Sequence, residues 1–474
     1  MLRAGSRFDS LAPQLGYFGT KLALMPVGAL FALMIVVPSG YQVLKAALIV
    51  IIFGEMILAA FFGNPPRLHP KILLQYIGYI SLGSLYGIYG LIQRNAGALP
   101  ITKEVVLYVF IYMVFNSGIT SRSSWKYIHN TLIYASSFLC LYLILSALNA
   151  YGLWPDWLYY ALETDTGYLS IPADTLKYYG QIAVSSSSLQ GLMFLQPYVV
   201  GFLISNPKKR PLLLLLLAIA MTVIMVLSGR RVLLIVAVLS PVVTAMSIRL
   251  FRRRHIAKPH AWRATLVFAG AAILILTLVV RLAGISIDAT FGHLTNAFRS
   301  EEVTAGGVIP NVRMETIQQL FEGWKARPIF GFGNGASYAH HIRSDEAPWN
   351  YEVQYMQFLY SWGIVGCALY AAGIASIARS LIGIFKSGSF YAQYAVPLLL
   401  GMSAFLVGNA TNPYLLKFDA LFVIFLPVTM INLCLLERRV SRRRASQPRT
   451  GVAITRRDRL DIAGTQESAL PMTQ

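Results

Sequence analysis

Long apolar stretches alternate with short polar segments along most of the chain. A stretch of about 17 to 25 mostly apolar residues is long enough to cross a bilayer as a helix. The sequence contains twelve such stretches, at residues 21–38, 42–62, 71–92, 104–120, 128–150, 187–204, 211–228, 232–249, 263–283, 353–378, 391–409 and 419–436. This pattern predicts an all-α polytopic membrane protein with about twelve transmembrane helices.

The basic residues predict how these helices are oriented. Lys and Arg accumulate on the cytoplasmic side of membrane proteins, and the main basic clusters of this chain share one side if both termini are cytoplasmic. The predicted organisation is then a cytoplasmic N-terminus (1–20), helices 1 to 9 (21–284) with an outer loop at 151–186, a large outer loop (285–352), helices 10 to 12 (353–436) and a basic cytoplasmic tail (437–474).

The composition agrees with this pattern. The chain is 56% hydrophobic and only 13% charged, yet its formal net charge is +20. A soluble domain has roughly 25% charged residues, so lipid is the expected solvent for most of this chain. The basic residues lie between apolar stretches instead of clustering on one polar surface, so we interpret the charge as a topological signal and expect no nucleic-acid partner.

The large outer loop contains a second kind of helical pattern. Residues 311–326 place apolar side chains at i, i+3, i+4 and i+7, and Asn311 is a suitable N-cap. Pro328 and the glycine-rich residues 330–335 then predict a turn and a loop. The pattern indicates an amphipathic helix against the bundle or the membrane interface, with the apolar positions Ile317, Leu320, Phe321 and Trp324.

Two arginines depart from the charge rule. Arg230 and Arg231 lie in a tight turn that the topology places on the outer side, where basic residues are scarce. A guanidinium there suits a phosphate or pyrophosphate, which it can bind with two hydrogen bonds; the alternative is that both side chains snorkel to lipid headgroups. Lys45 lies inside the second apolar stretch, and we expect it to snorkel or to pair with a neighbouring helix.

A longer motif follows in the large outer loop and the helix after it. An arginine precedes a helix that ends in tryptophan, a Pro-x-x-Gly-x-Gly turn comes next, and an acidic residue stands directly before a helix with two glycines. These residues are, in order, Arg313, Trp324, Pro328, Gly331, Gly333, Glu352, Tyr355, Gly363 and Gly366. The arrangement over residues 311–366 resembles the O-antigen ligase and Wzy-type polysaccharide polymerase superfamily. A weaker second match places Arg231 on an arginine that this family carries in a Ser-Arg turn.

The resemblance implies a GT-C-like fold and an inverting, metal-independent glycosyl transfer that uses no cofactor. The donor would be a glycan on undecaprenyl pyrophosphate, and the active site would be on the periplasmic face of a bacterial inner membrane. Glu352 stands where ligases carry a histidine, and either side chain can serve as the general base toward a sugar hydroxyl. The implied pyrophosphate-binding residues are Arg230, Arg231 and Arg313, and the implied substrate-loop residues are Arg327, His340, His341 and Arg343. Adjacent histidines do not converge on one ion, so no metal site is predicted.

Two members of this superfamily differ in the acceptor. A polymerase extends another lipid-linked repeat unit, and a ligase transfers the glycan to the lipid A core. Glu352 and the segment 412–415 before the last predicted helix favour an O-antigen or exopolysaccharide polymerase, with membrane lipids, a flippase and a chain-length regulator as candidate partners. A lipid-linked glycan transporter is a further alternative, although transporters place their polar residues at the middle of the membrane.

Overall fold

The fold is described here from a computed structural model. It describes residues 24–38, 40–61, 67–150, 188–206, 212–228, 230–251, 301–304, 307–310, 312–338 and 345–446, together with positions 155, 270, 274 and 277. The helices are α1 (Leu24–Val36), α2 (Gln42–Phe61), α3 (Pro70–Ile92), α4 (Ala98–Gly118), α5 (Arg122–Ala150), α6 (Leu189–Ser205), α7 (Leu212–Leu227), α8 (Arg231–Phe251), α9 (Val312–Trp324), α10 (Gln354–Ser387), α11 (Ala392–Gly408) and α12 (Phe422–Ser446).

Most of the predicted apolar stretches are helices. Eleven of the twelve coincide with a helix in the described part of the chain, and the remaining stretch, 263–283, lies almost entirely outside it. Six of the described helices, α2, α3, α4, α5, α8 and α10, are long and apolar enough to cross a membrane. The chain is therefore a mainly helical integral membrane protein. The total of twelve spans and the GT-C-like arrangement stay predictions.

Two local features differ from the predicted pattern. Helix α4 begins at Ala98, before the apolar stretch that predicts it, because Ala98 and Ile101 are buried. It includes a π-helical turn at Lys103–Leu107. Among the described residues of the large loop, β1 (Glu301–Thr304) and β2 (Gly307–Pro310) form an antiparallel pair, which the all-α prediction does not include.

Helix α6 lies at the centre of the bundle. Every residue from Leu189 to Ile204 is buried, and the helix packs mainly against α11, α8 and α7. A helix that is apolar on all sides is expected in such a position. One of its polar side chains, Gln196, donates to the Thr222 hydroxyl of α7 at 3.2 Å.

Helix α10 is interrupted where the glycine-rich loop meets it. Gly363 has φ 59° and ψ −170°, a conformation that only glycine adopts readily. Four backbone hydrogen bonds of 2.8 to 3.1 Å join loop residues 328–333 to residues 360–365 across the interruption. The helix break leaves backbone groups without helical partners, and the loop supplies those partners.

One buried asparagine joins this loop to the other helices. Asn334 is fully buried; it donates to the Gly83 carbonyl at 3.2 Å and the Thr102 hydroxyl at 3.0 Å, and it accepts from the Trp362 indole at 2.7 Å. Its side chain therefore holds the loop, α3, α4 and α10 in one arrangement.

Candidate functional site

An ion pair joins the first turn of α9 to the short segment that precedes α10. The Arg313 Nε donates to Glu352 Oε2 at 2.8 Å, and the two side chains are 48% and 27% exposed. Both residues were predicted as site residues from the motif, and the structure brings them into direct contact. A charge-assisted bond of this geometry orients the carboxylate.

Buried neighbours on each side position Glu352. Tyr351 and Val353 lie in an apolar cluster with Leu320 of α9, and the Tyr351 hydroxyl accepts a hydrogen bond from the Tyr338 backbone at 2.8 Å. The side chains on either side of Glu352 are thus buried, while the Glu352 side chain is 27% exposed. The same cluster anchors α9, and Arg313 is in the first turn of that helix.

The first turn of α8 meets the C-terminal end of α11. A Cβ atom on Gly408 would approach Val232 Cγ1 to 3.4 Å, so these two segments are in close contact. Arg230 directly precedes this turn, and its backbone N–H donates to the Ser228 hydroxyl at 3.3 Å. The turn is thereby placed beside the segment between α11 and α12.

Tyr414, in that segment, is where the predicted residues converge. The Arg230 side chain is hydrogen-bonded to the Tyr414 hydroxyl, and the charges of Arg230, Arg313 and Glu352 all act on it. Burial raises the pKa of Tyr414, the two guanidinium groups and the hydrogen bond from Arg230 oppose this rise, and the Glu352 carboxylate adds to it. Arg230 therefore contacts this phenol, and Arg313 and Glu352 are close enough to act on it electrostatically.

Lys417 extends the positive charge of this site. It is exposed, it lies three residues after Tyr414, and its backbone N–H donates to the Tyr414 carbonyl at 3.0 Å. Burial of its surroundings lowers the pKa of Lys417, the carboxylate of Asp419 raises it, and the charge of Arg230 lowers it further. Lys417 is thus close enough to Arg230 for the two cations to repel each other.

A buried ion pair joins this segment to α2. Lys45 Nζ lies 2.9 Å from Asp419 Oδ1, and the side chains are 2% and 7% exposed. The same ammonium donates to the carbonyls of Val37 and Pro38 at 2.7 and 3.0 Å. Of the two expectations for Lys45, pairing with a neighbouring element is the one observed.

Of the remaining predicted site residues, Arg327 is the one whose side chain the structure describes. Arg327 donates to the Tyr89 hydroxyl at 3.1 Å and to Gln93 Oε1 at 2.8 Å, and it lies over the Phe332 ring. These contacts join it to the end of α3. Arg231 is the first residue of α8, but its side chain lies outside the described part, as do His340, His341 and Arg343 entirely.

An apolar cavity lies next to the same segment. It has a volume of about 440 Å³ and lies between α3, α10 and the start of α12, with Tyr79, Tyr370 and Leu421 in its wall. Leu421 follows closely after Lys417 and Asp419 in the chain. The cavity offers room for an apolar chain within the membrane-crossing part.

Tyr414 and Lys417 were not predicted as site residues. The same criterion that selects Arg230 selects Lys417 as well, because it is a basic residue on the predicted outer side, directly before an apolar stretch. For Tyr414 the signal was weaker, since a tyrosine near a membrane boundary is ordinary in membrane proteins. Among the described residues, no three His, Cys, Asp or Glu side chains are grouped so that they could hold a metal ion.

Residues 216–371 match the family model described as O-antigen ligase. The matched stretch includes Arg230, Arg313, the glycine-rich loop and Glu352, and it ends before Tyr414 and Lys417. No curated protein matches the chain. Over this stretch the chain is similar to O-antigen ligases, which confirms the resemblance that the motif predicted.

Proposed function

We propose that this protein is a membrane glycosyltransferase that polymerises oligosaccharide repeat units carried on a polyprenyl pyrophosphate. The observation that carries the proposal is the Arg313–Glu352 ion pair beside Arg230, inside the stretch that is similar to O-antigen ligases. A carboxylate next to several cations suits a reaction in which a hydroxyl loses a proton and a diphosphate departs.

In the proposed reaction the acceptor hydroxyl oxygen attacks the anomeric carbon of the donor sugar. The bond from that carbon to the diphosphate oxygen breaks, and its electron pair leaves with the diphosphate. Glu352 takes the acceptor proton, while Arg230, Arg231 and Arg313 bind the diphosphate and stabilise the charge that develops on it. A single displacement of this kind inverts the anomeric carbon.

The ion pair gives Arg313 two roles in this reaction. Before the donor binds, it orients the Glu352 carboxylate. An arriving diphosphate competes for the same guanidinium, so donor binding loosens the pair and makes the carboxylate available to the acceptor. Arg327, His340, His341 and Arg343 are proposed to line the path of the sugars. The apolar cavity beside Leu421 supports a substrate with a long apolar chain.

O-antigen ligase activity is the second candidate function. The family model is described as O-antigen ligase, and this favours transfer to a lipid A core. Glu352 in the place of the ligase histidine favours the polymerase. We place the reaction on the periplasmic face of a bacterial inner membrane with both termini cytoplasmic, where a flippase supplies the donor and a chain-length regulator limits the product.

The decisive experiment uses the purified full-length protein in lipid nanodiscs with a polyprenyl-pyrophosphate-linked repeat unit and no ion gradient. A polymerase converts the substrate to a ladder of longer lipid-linked glycans. Transfer that occurs only after lipid A core is added would identify a ligase. No transfer in either case, together with movement of the substrate across proteoliposomes, would identify a transporter and contradict the proposal.

The Glu352→Gln variant tests the assigned base. Loss of the carboxylate should lower the transfer rate by about 10²- to 10⁴-fold and leave membrane insertion unchanged. Glu315→Gln is the matched control, because Glu315 is an exposed carboxylate in the same first turn of α9 as Arg313. Glycan chains of full length made by the Glu352→Gln variant would refute the role of Glu352.

A further inference from the structure

The segment between α11 and α12 is held in place at both ends. Its two 3₁₀ turns are Tyr414–Leu416 and Phe418–Ala420, and Lys417 lies between them. At one end, the Asn409 side-chain oxygen accepts from the Leu415 backbone at 2.9 Å. At the other, Asp419 is bound by Lys45. The position of Lys417 is therefore determined by buried contacts on each side.

The nearest carboxylate does not neutralise Lys417. Asp419 acts on its charge, but the ion pair of that carboxylate is with Lys45, at 2.9 Å. Within the described part of the chain, the Lys417 ammonium has no hydrogen bond and no ion pair. Arg230 instead brings a second positive charge close to it. Two cations held near each other by fixed backbone are unfavourable unless an anion lies between or beside them.

The charges around Tyr414 match a particular class of anion. Among the described side chains here, Arg230, Arg313 and Lys417 are positive and Glu352 is negative, so these four carry an excess of two positive charges. A pyrophosphate that is esterified at both ends has one ionisable oxygen on each phosphoryl group and therefore two negative charges. A phosphate monoester or diester does not have this spread of charge over two neighbouring phosphorus atoms.

We propose that Lys417 is a diphosphate-binding residue of this site, which contacts one phosphoryl group while Arg230 and Arg313 contact the other. This assignment rests on the proposed function for the identity of the natural substrate. It adds the segment between α11 and α12, which lies beyond the stretch matched by the family model, to the substrate-binding surface. Leu421, which is in the wall of the apolar cavity, is the last residue of this segment before α12.

The test is a binding measurement that needs no glycosyl transfer. Full-length protein in phosphatidylcholine nanodiscs is titrated with inorganic pyrophosphate and, separately, with inorganic phosphate. Lys417→Gln should weaken pyrophosphate binding by about ten-fold, as expected for the loss of one hydrogen bond between charged groups. Lys417→Arg keeps the charge and should retain most of the affinity.

Lys325→Gln is the matched control. Lys325 is also an exposed lysine of the outer region, but it pairs with Glu322 at 2.7 Å, so its loss should not change pyrophosphate binding. Unchanged affinity in Lys417→Gln would overturn the proposal, as would equal losses in both glutamine variants. A second set of nanodiscs with phosphatidylglycerol separates the two sources of phosphoryl groups: if Lys417→Gln changes only lipid binding and not pyrophosphate binding, Lys417 contacts headgroups and the assignment is wrong.

Failure of the proposed function is distinguishable from failure of this inference. If no variant or wild-type protein transfers glycans but Lys417→Gln still weakens pyrophosphate binding, Lys417 is a diphosphate ligand of a protein with another activity. If the wild type transfers glycans and Lys417→Gln leaves both pyrophosphate affinity and the KM for the donor unchanged, the glycosyltransferase stands and the role of Lys417 does not.

Discussion

The pKa of Lys417 is lower than that of an ordinary lysine. Partial shielding from water and the charge of Arg230 lower the pKa of Lys417, Asp419 has the opposite effect, and burial raises the pKa of the neighbouring Tyr414. The ammonium of Lys417 is therefore expected to lose its proton at a lower pH than an ordinary lysine.

This predicts a pH profile for pyrophosphate binding. The ammonium form binds the anion, so affinity should fall as pH rises through the lowered pKa of Lys417, by at most about ten-fold per pH unit because one proton is linked. Lys417→Arg should remove this fall, since arginine stays charged. Titrations at several pH values measure both profiles, and identical profiles for the two proteins would contradict the prediction.

The residues of the site differ in how far the sequence predicts them. Arg313 and Glu352 follow from the motif, and Arg230 follows from its position against the charge rule. Their convergence does not follow, because three separate segments carry them and only packing brings these segments together. Lys417 satisfies the same charge rule as Arg230, but nothing in the sequence connects it to the motif.

At the scale of elements, the interruption of α10 is the feature that joins the motif to the bundle. The sequence contains an apolar run suited to one straight helix, and Gly363 alone does not predict a break. The break depends on the glycine-rich loop, whose backbone replaces the missing helical hydrogen bonds. The conformation of α10 is therefore determined by a loop that lies earlier in the chain, and this contact overrides the local helix propensity.

Gly363→Ala tests this account. A Cβ atom at this position would overlap the Ile329 carbonyl oxygen, and the backbone conformation is one that alanine adopts at a cost of about 1–3 kcal/mol. The variant should unfold at a lower temperature in detergent and lose transfer activity. Gly383→Ala in the same helix is the control, because no atom lies within 4 Å of its added methyl group. Equal thermal stability of the two variants would refute the role of the break.

The Lys45–Asp419 pair joins the first two helices to the segment that carries Lys417. Removing one partner of a buried ion pair leaves a buried charge and typically costs about 3–5 kcal/mol, whereas apolar replacement of both partners is often nearly neutral. Asp419→Leu alone should therefore destabilise the protein strongly.

A double-mutant cycle measures this coupling. Lys45→Met combined with Asp419→Leu should be more stable to heat than Asp419→Leu alone, because no unpaired charge remains. If the two changes are simply additive, the pair does not couple α2 to the segment before α12. Pyrophosphate affinity of the double variant then reports whether the pair also positions Lys417.

At the scale of the whole molecule, several contacts join segments that the prediction assigns to the same side of the membrane. Segments assigned to the outer side contact each other, as in the 3.2 Å bond between Gly97 and Gly335 and the pair of Lys45 with Asp419. Segments assigned to the cytoplasmic side do the same, as in the 2.8 Å bond from the His69 backbone to Asn432. The side of the membrane that each segment faces stays a prediction.

Cysteine labelling tests which segments face the periplasm and which face the cytoplasm. After replacement of Cys140, Cys367 and Cys434, two of which are buried, single cysteines are introduced as Asp345→Cys and Lys71→Cys, both at exposed positions. A membrane-impermeant maleimide should label the first in intact cells and the second only after permeabilisation. The reverse result would contradict the orientation derived from the basic residues.

The sequence by itself determined the membrane class, the helices and the family resemblance, because each is carried by a local pattern: apolar length, helical period, or a motif with fixed spacing. Tertiary structure decided what those patterns leave open. It broke α10 at Gly363, paired Lys45 with Asp419, and placed Tyr414 and Lys417 beside Arg230, Arg313 and Glu352. These outcomes depend on which segments approach each other in space, and buried polar groups find their partners only after the helices have packed.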